Sequence, residues 1–132
     1  MKKVVFVCIE NSNRSQMAQA FASIHGQEIV ESYSAGSRPS GKINPRAINA
    51  MRELGYDLNH HSSTSTDELP DMQFDYLVSM GCGDACPYVP TKNRIEWDIP
   101  DPRDMEPEEF RVVRDQIERQ VKDLLAEISA HE

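Results

Sequence analysis

Cysteine is scarce in this sequence, and tryptophan, glycine and basic side chains are few. Three cysteines in 132 residues are too few, and odd in number, for the disulfide framework that small secreted domains need. Fourteen Lys and Arg against 22 Asp and Glu leave a formal net charge of −8. That excludes the broad basic face of a general nucleic-acid or anionic-membrane binder. An anionic ligand must instead be met by a local positive potential, built from backbone dipoles and one or two side chains. No apolar run approaches the ~20 residues of a membrane-spanning helix. Met1-Lys2-Lys3 leads into a short apolar stretch that stops at polar Glu10 and Asn11, which does not read as a signal peptide. A cytoplasmic protein is expected, with no membrane and no nucleic acid as partner. Internal repeats, linkers and low-complexity tracts are missing too, so residues 1–132 are expected to form one domain. A domain of this length buries roughly two-thirds of its unfolded surface and needs neither disulfide nor metal to fold.

What is present alternates between two kinds of segment. Val4–Cys8 is a continuous β-branched and aromatic run, the pattern of a strand buried on both faces. Glu10–Arg14 is a polar turn. Ser15–Ala22 reads as a helix with Met17, Ala18, Phe21 and Ile24 on one face and Gly26 as its stop. Glu28–Ser34 is a second strand candidate, and Pro45 opens a helix from about Asn44 to Leu54. Asp67–Pro70 reads as a turn, Phe74–Met80 as a third buried strand and Arg94–Trp97 as a short fourth. Glu106–Ser129 carries Phe110, Val113, Ile117, Val121, Leu124, Leu125 and Ile128 at helical spacing. Such alternation predicts an α/β fold with right-handed crossovers, a parallel sheet and helices on both faces. Sites in such sheets lie beyond the carboxyl ends of the strands. Cys8 and Cys82 both fall just past predicted strand ends, hence on one edge of the sheet.

Cys8-Ile9-Glu10-Asn11-Ser12-Asn13-Arg14-Ser15 joins a buried strand to a helix start. The backbone N–H groups of Ile9, Glu10, Asn11, Ser12 and Asn13 can wrap a tetrahedral oxyanion, with the helix dipole adding positive potential. Arg14 can fork two N–H donors onto two of its oxygens. The same field favours the thiolate of Cys8, and Ser15 can donate a hydrogen bond to the sulfur. A thiolate held beside the central atom of an oxyanion is a nucleophile aimed at it.

The second cysteine segment, Met80-Gly81-Cys82-Gly83-Asp84-Ala85-Cys86-Pro87, admits three readings. Cys82 and Cys86 can supply a zinc site with His60 and His61, can be inert loop residues, or can do redox work with Cys8. Flanking glycines and a reactive cysteine on the same sheet edge favour the third. In Trp97-Asp98-Ile99-Pro100-Asp101-Pro102-Arg103-Asp104 the Asp101-Pro102 step fixes an extended loop. Asp98 and Asp104 read as solvated, Trp97 as packing, and His60 and His61 as polar-loop residues without catalytic duty.

Taken together, Cys8–Ser15, the following Gln16-Met17-Ala18, Tyr33-Ser34-Ala35-Gly36 and Asp101-Pro102 resemble the low-molecular-weight tyrosine phosphatase superfamily, and within it the thioredoxin-coupled arsenate reductase branch. The resemblance implies a four-stranded parallel sheet and Asp101 as the acid that protonates the leaving oxygen. It also implies that Asn11 and Ser34 brace the anion loop. It further implies that Cys82 attacks Cys8 and Cys86 then attacks Cys82. The activity implied is reduction of arsenate to arsenite, with no bound cofactor and with thioredoxin, a thioredoxin-like protein or a low-molecular-weight thiol as external reductant. The alternative is a phosphatase acting on phosphotyrosine or small phosphoesters through a phosphocysteine. Two positions depart from the pattern. Glu10 stands where family loops usually have Gly, and Arg103 where the phosphatases usually have Tyr. Gln19 stands where some reductases have a Glu that helps bind potassium, so the resemblance does not extend to that cation.

Overall fold

The structure, a computed structural model, describes residues 1–81 and 89–131. Its elements are β1 (Lys2–Cys8), α1 (Arg14–His25), β2 (Val30–Gly36), α2 (Pro45–Arg52), β3 (Phe74–Met80), β4 (Thr91–Trp97) and α3 (Pro107–Ala130). Single 3-10 turns at Leu58–His60 and Thr66–Glu68 lie between α2 and β3. The sheet is wholly parallel, in the order β2-β1-β3-β4. β1 is therefore interior, as its unbroken apolar run requires.

Alternate residues of β1 feed two cores. Val4, Phe6 and Cys8 point into the larger one, among Met17 and Phe21 of α1, Met51 of α2 and Ile117, Val121 and Leu125 of α3. Val5 and Val7 face the other side, with Phe74, Leu77 and Val89, and Leu69 and Met72 packed against them. The described helices thus contribute their apolar faces to one side of the sheet, while on the other side the described cover comes from loop residues. Full burial of side chains such as Phe6, Phe21 and Ile117 contributes roughly 1.5–3 kcal/mol each.

Element ends shift for local reasons. β3 occupies the expected residues. β4 begins three residues earlier than Arg94, because Thr91–Arg94 is a mostly exposed edge with no apolar pattern. β2 starts at Val30, not Glu28, since Val30 N–H closes a turn onto Gly26 O at 2.9 Å. α2 is capped by Asn44, whose Oδ1 accepts from Arg46 N–H at 2.9 Å, and ends at Arg52 before Leu54. Arg114 of α3 ties back to α2, donating to Ala50 O at 2.9 Å and Glu53 Oε1 at 2.8 Å.

Cys8 is paired in register with Gly36 at the carboxyl edge. A Cβ at Gly36 would lie 2.5 Å from Ile9 O and 2.9 Å from the Asn11 amide. Only glycine lets the loop after β1 fold back this closely over β2.

Candidate active site

Residues 9–13 make the whole connection from β1 to α1. Their carbonyls are all bonded to groups outside the loop's interior. Ile9 O accepts from Arg38 N–H at 2.8 Å, and Ser12 O from Asn44 N–H at 3.1 Å. Glu10 O accepts from Ser40 N–H and from Ser63 Oγ, each at 3.1 Å. Asn11 O accepts from Gln16 Nε2 and Asn13 O from Met17 N–H, each at 3.0 Å. In a trans peptide the N–H lies opposite its carbonyl, so the amides of residues 10–14 turn inward around Cys8. That of Asn11 does so visibly, donating to Cys8 Sγ at 3.3 Å. Arg14 and Ser15 open α1, where N–H groups have no intrahelical acceptor and the dipole adds positive potential. So arranged, the loop can cradle an anion, with Cys8, only 3% exposed, at its base.

Ser15 Oγ lies 2.9 Å from Cys8 Sγ. Asn11 Nδ2 donates to the same oxygen at 2.8 Å, which leaves the single hydroxyl proton for the sulfur. A hydroxyl so placed can donate to the sulfur of Cys8. Asn11 adopts a left-handed φ of 51°, which Asn tolerates better than most residues. Its Oδ1 accepts from Thr64 N–H at 2.7 Å and Gln16 Nε2 at 2.9 Å.

Arg14 is fixed from two directions. Its Nη1 donates to Ile99 O at 2.9 Å, and Gly81 packs directly against the guanidinium. Nη2 lies 4.0 Å from Asp101 Oδ2, so Asp101 stands across the cavity from the cradle. Cys8, Arg14, Asp101 and Arg103 all line one recess of about 70 Å³.

Other residues fall differently from expectation. Ser34 Oγ donates to Gln19 Oε1 at 2.6 Å; it braces α1 instead of the anion loop. Asn11 does brace it. His61, expected in a polar loop without catalytic duty, is hydrogen-bonded into the anion loop's support. Its Nδ1 donates to Gln16 Oε1 at 2.9 Å, and its Nε2 accepts from Tyr56 O–H at 2.6 Å. Burial, aided by the neighbouring His60, pushes His61 down to about 4. Gln16, buried at the centre of this network and bonded also to Ser62 O at 2.9 Å, was not singled out by the sequence. Only its position directly after Ser15 hinted at it. Trp97 packs on Phe6, ring centroids 6.0 Å apart, and Asp98 and Asp104 are exposed. Cys82 and Cys86, and with them the zinc reading alongside His60 and His61, lie outside the described residues. Among the described residues no three His, Cys, Asp or Glu side chains converge as a metal site.

A cysteine at the floor of an amide-lined cradle, beyond the carboxyl end of a parallel strand and faced by an arginine and an aspartate, marks a cysteine-dependent enzyme of oxyanion chemistry. Residues 3–132 match the low molecular weight phosphotyrosine protein phosphatase family, and the chain belongs to it. It is 37% identical to the glutaredoxin arsenate reductase of Synechocystis sp., over 98% of this chain and all of that one. It is also similar to the solved structure of an arsenate reductase in the phosphate binding state, with a TM-score of 0.86, 35% identity and coverage of 97% and 99% of the two chains. A thioredoxin-dependent arsenate reductase of Corynebacterium glutamicum matches at a TM-score of 0.81 and 28% identity, over all of this chain and 64% of that one. No described helix is long and apolar enough to cross a membrane.

Proposed function

We propose that the protein is an arsenate reductase working by a cysteine relay. Arsenate sits on the amides of residues 10–14 and the fork of Arg14. Cys8 Sγ attacks arsenic, an As–O bond breaks, and Asp101 gives its proton to the departing oxygen, which leaves as water. Cys82 then attacks Cys8 Sγ. The S–As bond breaks with its electron pair passing to arsenic, so As(V) leaves as arsenite and a Cys8–Cys82 disulfide remains. Cys86 attacks Cys82, returning Cys8 as a thiolate and leaving Cys82–Cys86. An external dithiol protein of the thioredoxin or glutaredoxin kind, or a small thiol, reduces that disulfide.

The observation that supports this reading over hydrolysis is where β3 delivers the chain. Gly81 touches Arg14, and the sequence runs from Gly81 directly into Cys82. A phosphatase has no use for two further thiols at that point. The arsenate reductases to which the chain is similar favour the same choice. The test is turnover: arsenate-dependent NADPH consumption with thioredoxin and thioredoxin reductase, beside hydrolysis of an aryl phosphate. Hydrolysis without arsenate-dependent thiol oxidation, by any thiol donor, would replace the reductase reading with the phosphatase one.

A further inference from the structure

Glu10 and Arg103, 93 positions apart, meet at the rim of the recess that holds Cys8. Arg103 Nη1 donates to Glu10 Oε1 at 2.8 Å, and both residues line the cavity. Each end is anchored through its backbone. Glu10 O is held by Ser40 and Ser63. Arg103 N–H donates to Asp101 Oδ1 at 3.1 Å, and Arg103 O accepts from Arg46 Nη1 at 3.0 Å. Arg103 Nη2 also lies 3.7 Å from Asp101 Oδ2. The side chains themselves are exposed, 53% for Arg103 and 37% for Glu10, and a pair so open to water adds little to stability. Its significance lies in where it runs.

Two physical consequences follow from that position. A lone Glu10 carboxylate beside a cradle built for a dianion would repel the ligand; pairing with Arg103 cancels that charge locally. The pair also lines the recess above the cradle. A bare tetrahedral oxyanion can lie wholly against the loop at its floor. An oxyanion ester must carry its organic group out past the rim, through the space that the two side chains fill. We infer that the Glu10–Arg103 ion pair is a specificity strap, one that favours free oxyanions over oxyanion esters at this site. The inference rests on the cradle as an oxyanion site, not on what happens to sulfur afterwards. Its test therefore stands apart from that of the reductase chemistry.

Initial rates of phenyl phosphate hydrolysis, with inorganic phosphate as competitive inhibitor, test it in the parent, Arg103→Ala, Glu10→Gln and the double variant. Thermal melts monitor folding in each. Removing the strap entirely should raise kcat/KM for phenyl phosphate at least about fivefold, the scale on which pocket sterics discriminate. Arg103→Ala alone should weaken phosphate inhibition about two- to fivefold by uncovering Glu10, and adding Glu10→Gln should reverse that loss, as coupled charges do. Arg103→Gln, which keeps much of the bulk without the charge, should weaken phosphate inhibition and still disfavour the ester. A double variant with no gain on phenyl phosphate, or single effects that simply add, overturns the strap. A parent that never oxidises thiols on arsenate overturns the reductase reading and leaves the strap measurement valid.

Discussion

The guanidinium of Arg14 and the backbone of Gly81 are in direct contact, and a Cβ on Gly81 would collide with Nη1. Gly81 also has a φ of 78°, a conformation that costs other residues about 1 kcal/mol or more. Gly81→Ala should therefore push Arg14 off the Ile99 carbonyl and out of register with the cradle. A displacement of that size at a positioning group costs on the order of a hundredfold. We expect kcat/KM for arsenate to fall by that order while the melting temperature drops only modestly. Unchanged kinetics would mean that Arg14 is not held by this contact.

Cys8→Ser should abolish both arsenate reduction and aryl phosphate hydrolysis, because an alcohol is not ionised at neutral pH. Asp101→Asn should behave otherwise. It removes the proton donor but leaves the amide cradle intact, so the chemical rate falls about a hundredfold or more, with phosphate affinity retained. Rapid-quench kinetics and phosphate inhibition separate the two. Loss of affinity with an intact chemical rate would make Asp101 a binding residue.

Cys82→Ser and Cys86→Ser separate reduction from hydrolysis. Aryl phosphatase activity should stay within about threefold of the parent, as substitutions away from packed features usually cost little. Multiple-turnover arsenate reduction with a dithiol protein should disappear in both. Mass spectrometry should find the Cys82 variant blocked at Cys8, as an adduct or a mixed disulfide, and the Cys86 variant trapped as Cys8–Cys82. If both variants keep reducing arsenate with thioredoxin, the relay is wrong.

Stability should respond to His61 in mild acid. Its folded value of about 4 lies below the ordinary 6.5 of histidine, so the unfolded chain takes up this proton more readily than the native one. The penalty is absent above pH 6.5, grows as pH falls through that value, and levels off below about 4. A second loss begins lower, where Glu53, held at about 2 by hydrogen bonds from Arg111 and Arg114, titrates below its ordinary 4.5. Urea midpoints measured from pH 7.5 to 3 should show both. His61→Asn should remove the upper phase alone, and an unchanged upper phase would assign it elsewhere.

The sequence made some of this visible and hid the rest for identifiable reasons. β3 was readable to the residue, because Phe74–Met80 is an interior strand with Phe74, Leu77, Val78 and Met80 buried. The first three residues of β4 were not, since an edge segment of Thr91, Lys92 and Asn93 carries no hydrophobic signal. Cys8, Arg14 and Ser15 were legible because strand, turn and helix start are contiguous. Their supports were not. Thr64 contributes an amide, Ile99 and Ser62 contribute carbonyls, and Gly81 contributes only the absence of a side chain. Backbone groups leave no mark on residue identity. Ser34 misled for a related reason: a serine near a loop in sequence can choose any acceptor in reach, and it chose Gln19. His61, one of two adjacent histidines in a polar stretch, had nothing in its neighbours to reveal the bond to Gln16.

The bond from Arg14 to the carbonyl of Ile99 spans 85 positions, and that separation has a temporal meaning. A ribosome delivers the nucleophile, its loop and its arginine within the first fifteen residues, yet the carbonyl that accepts from the arginine arrives only when three-quarters of the chain has been made. A chain truncated before Ile99 would therefore carry the whole motif from Cys8 to Ser15 and lack that anchor.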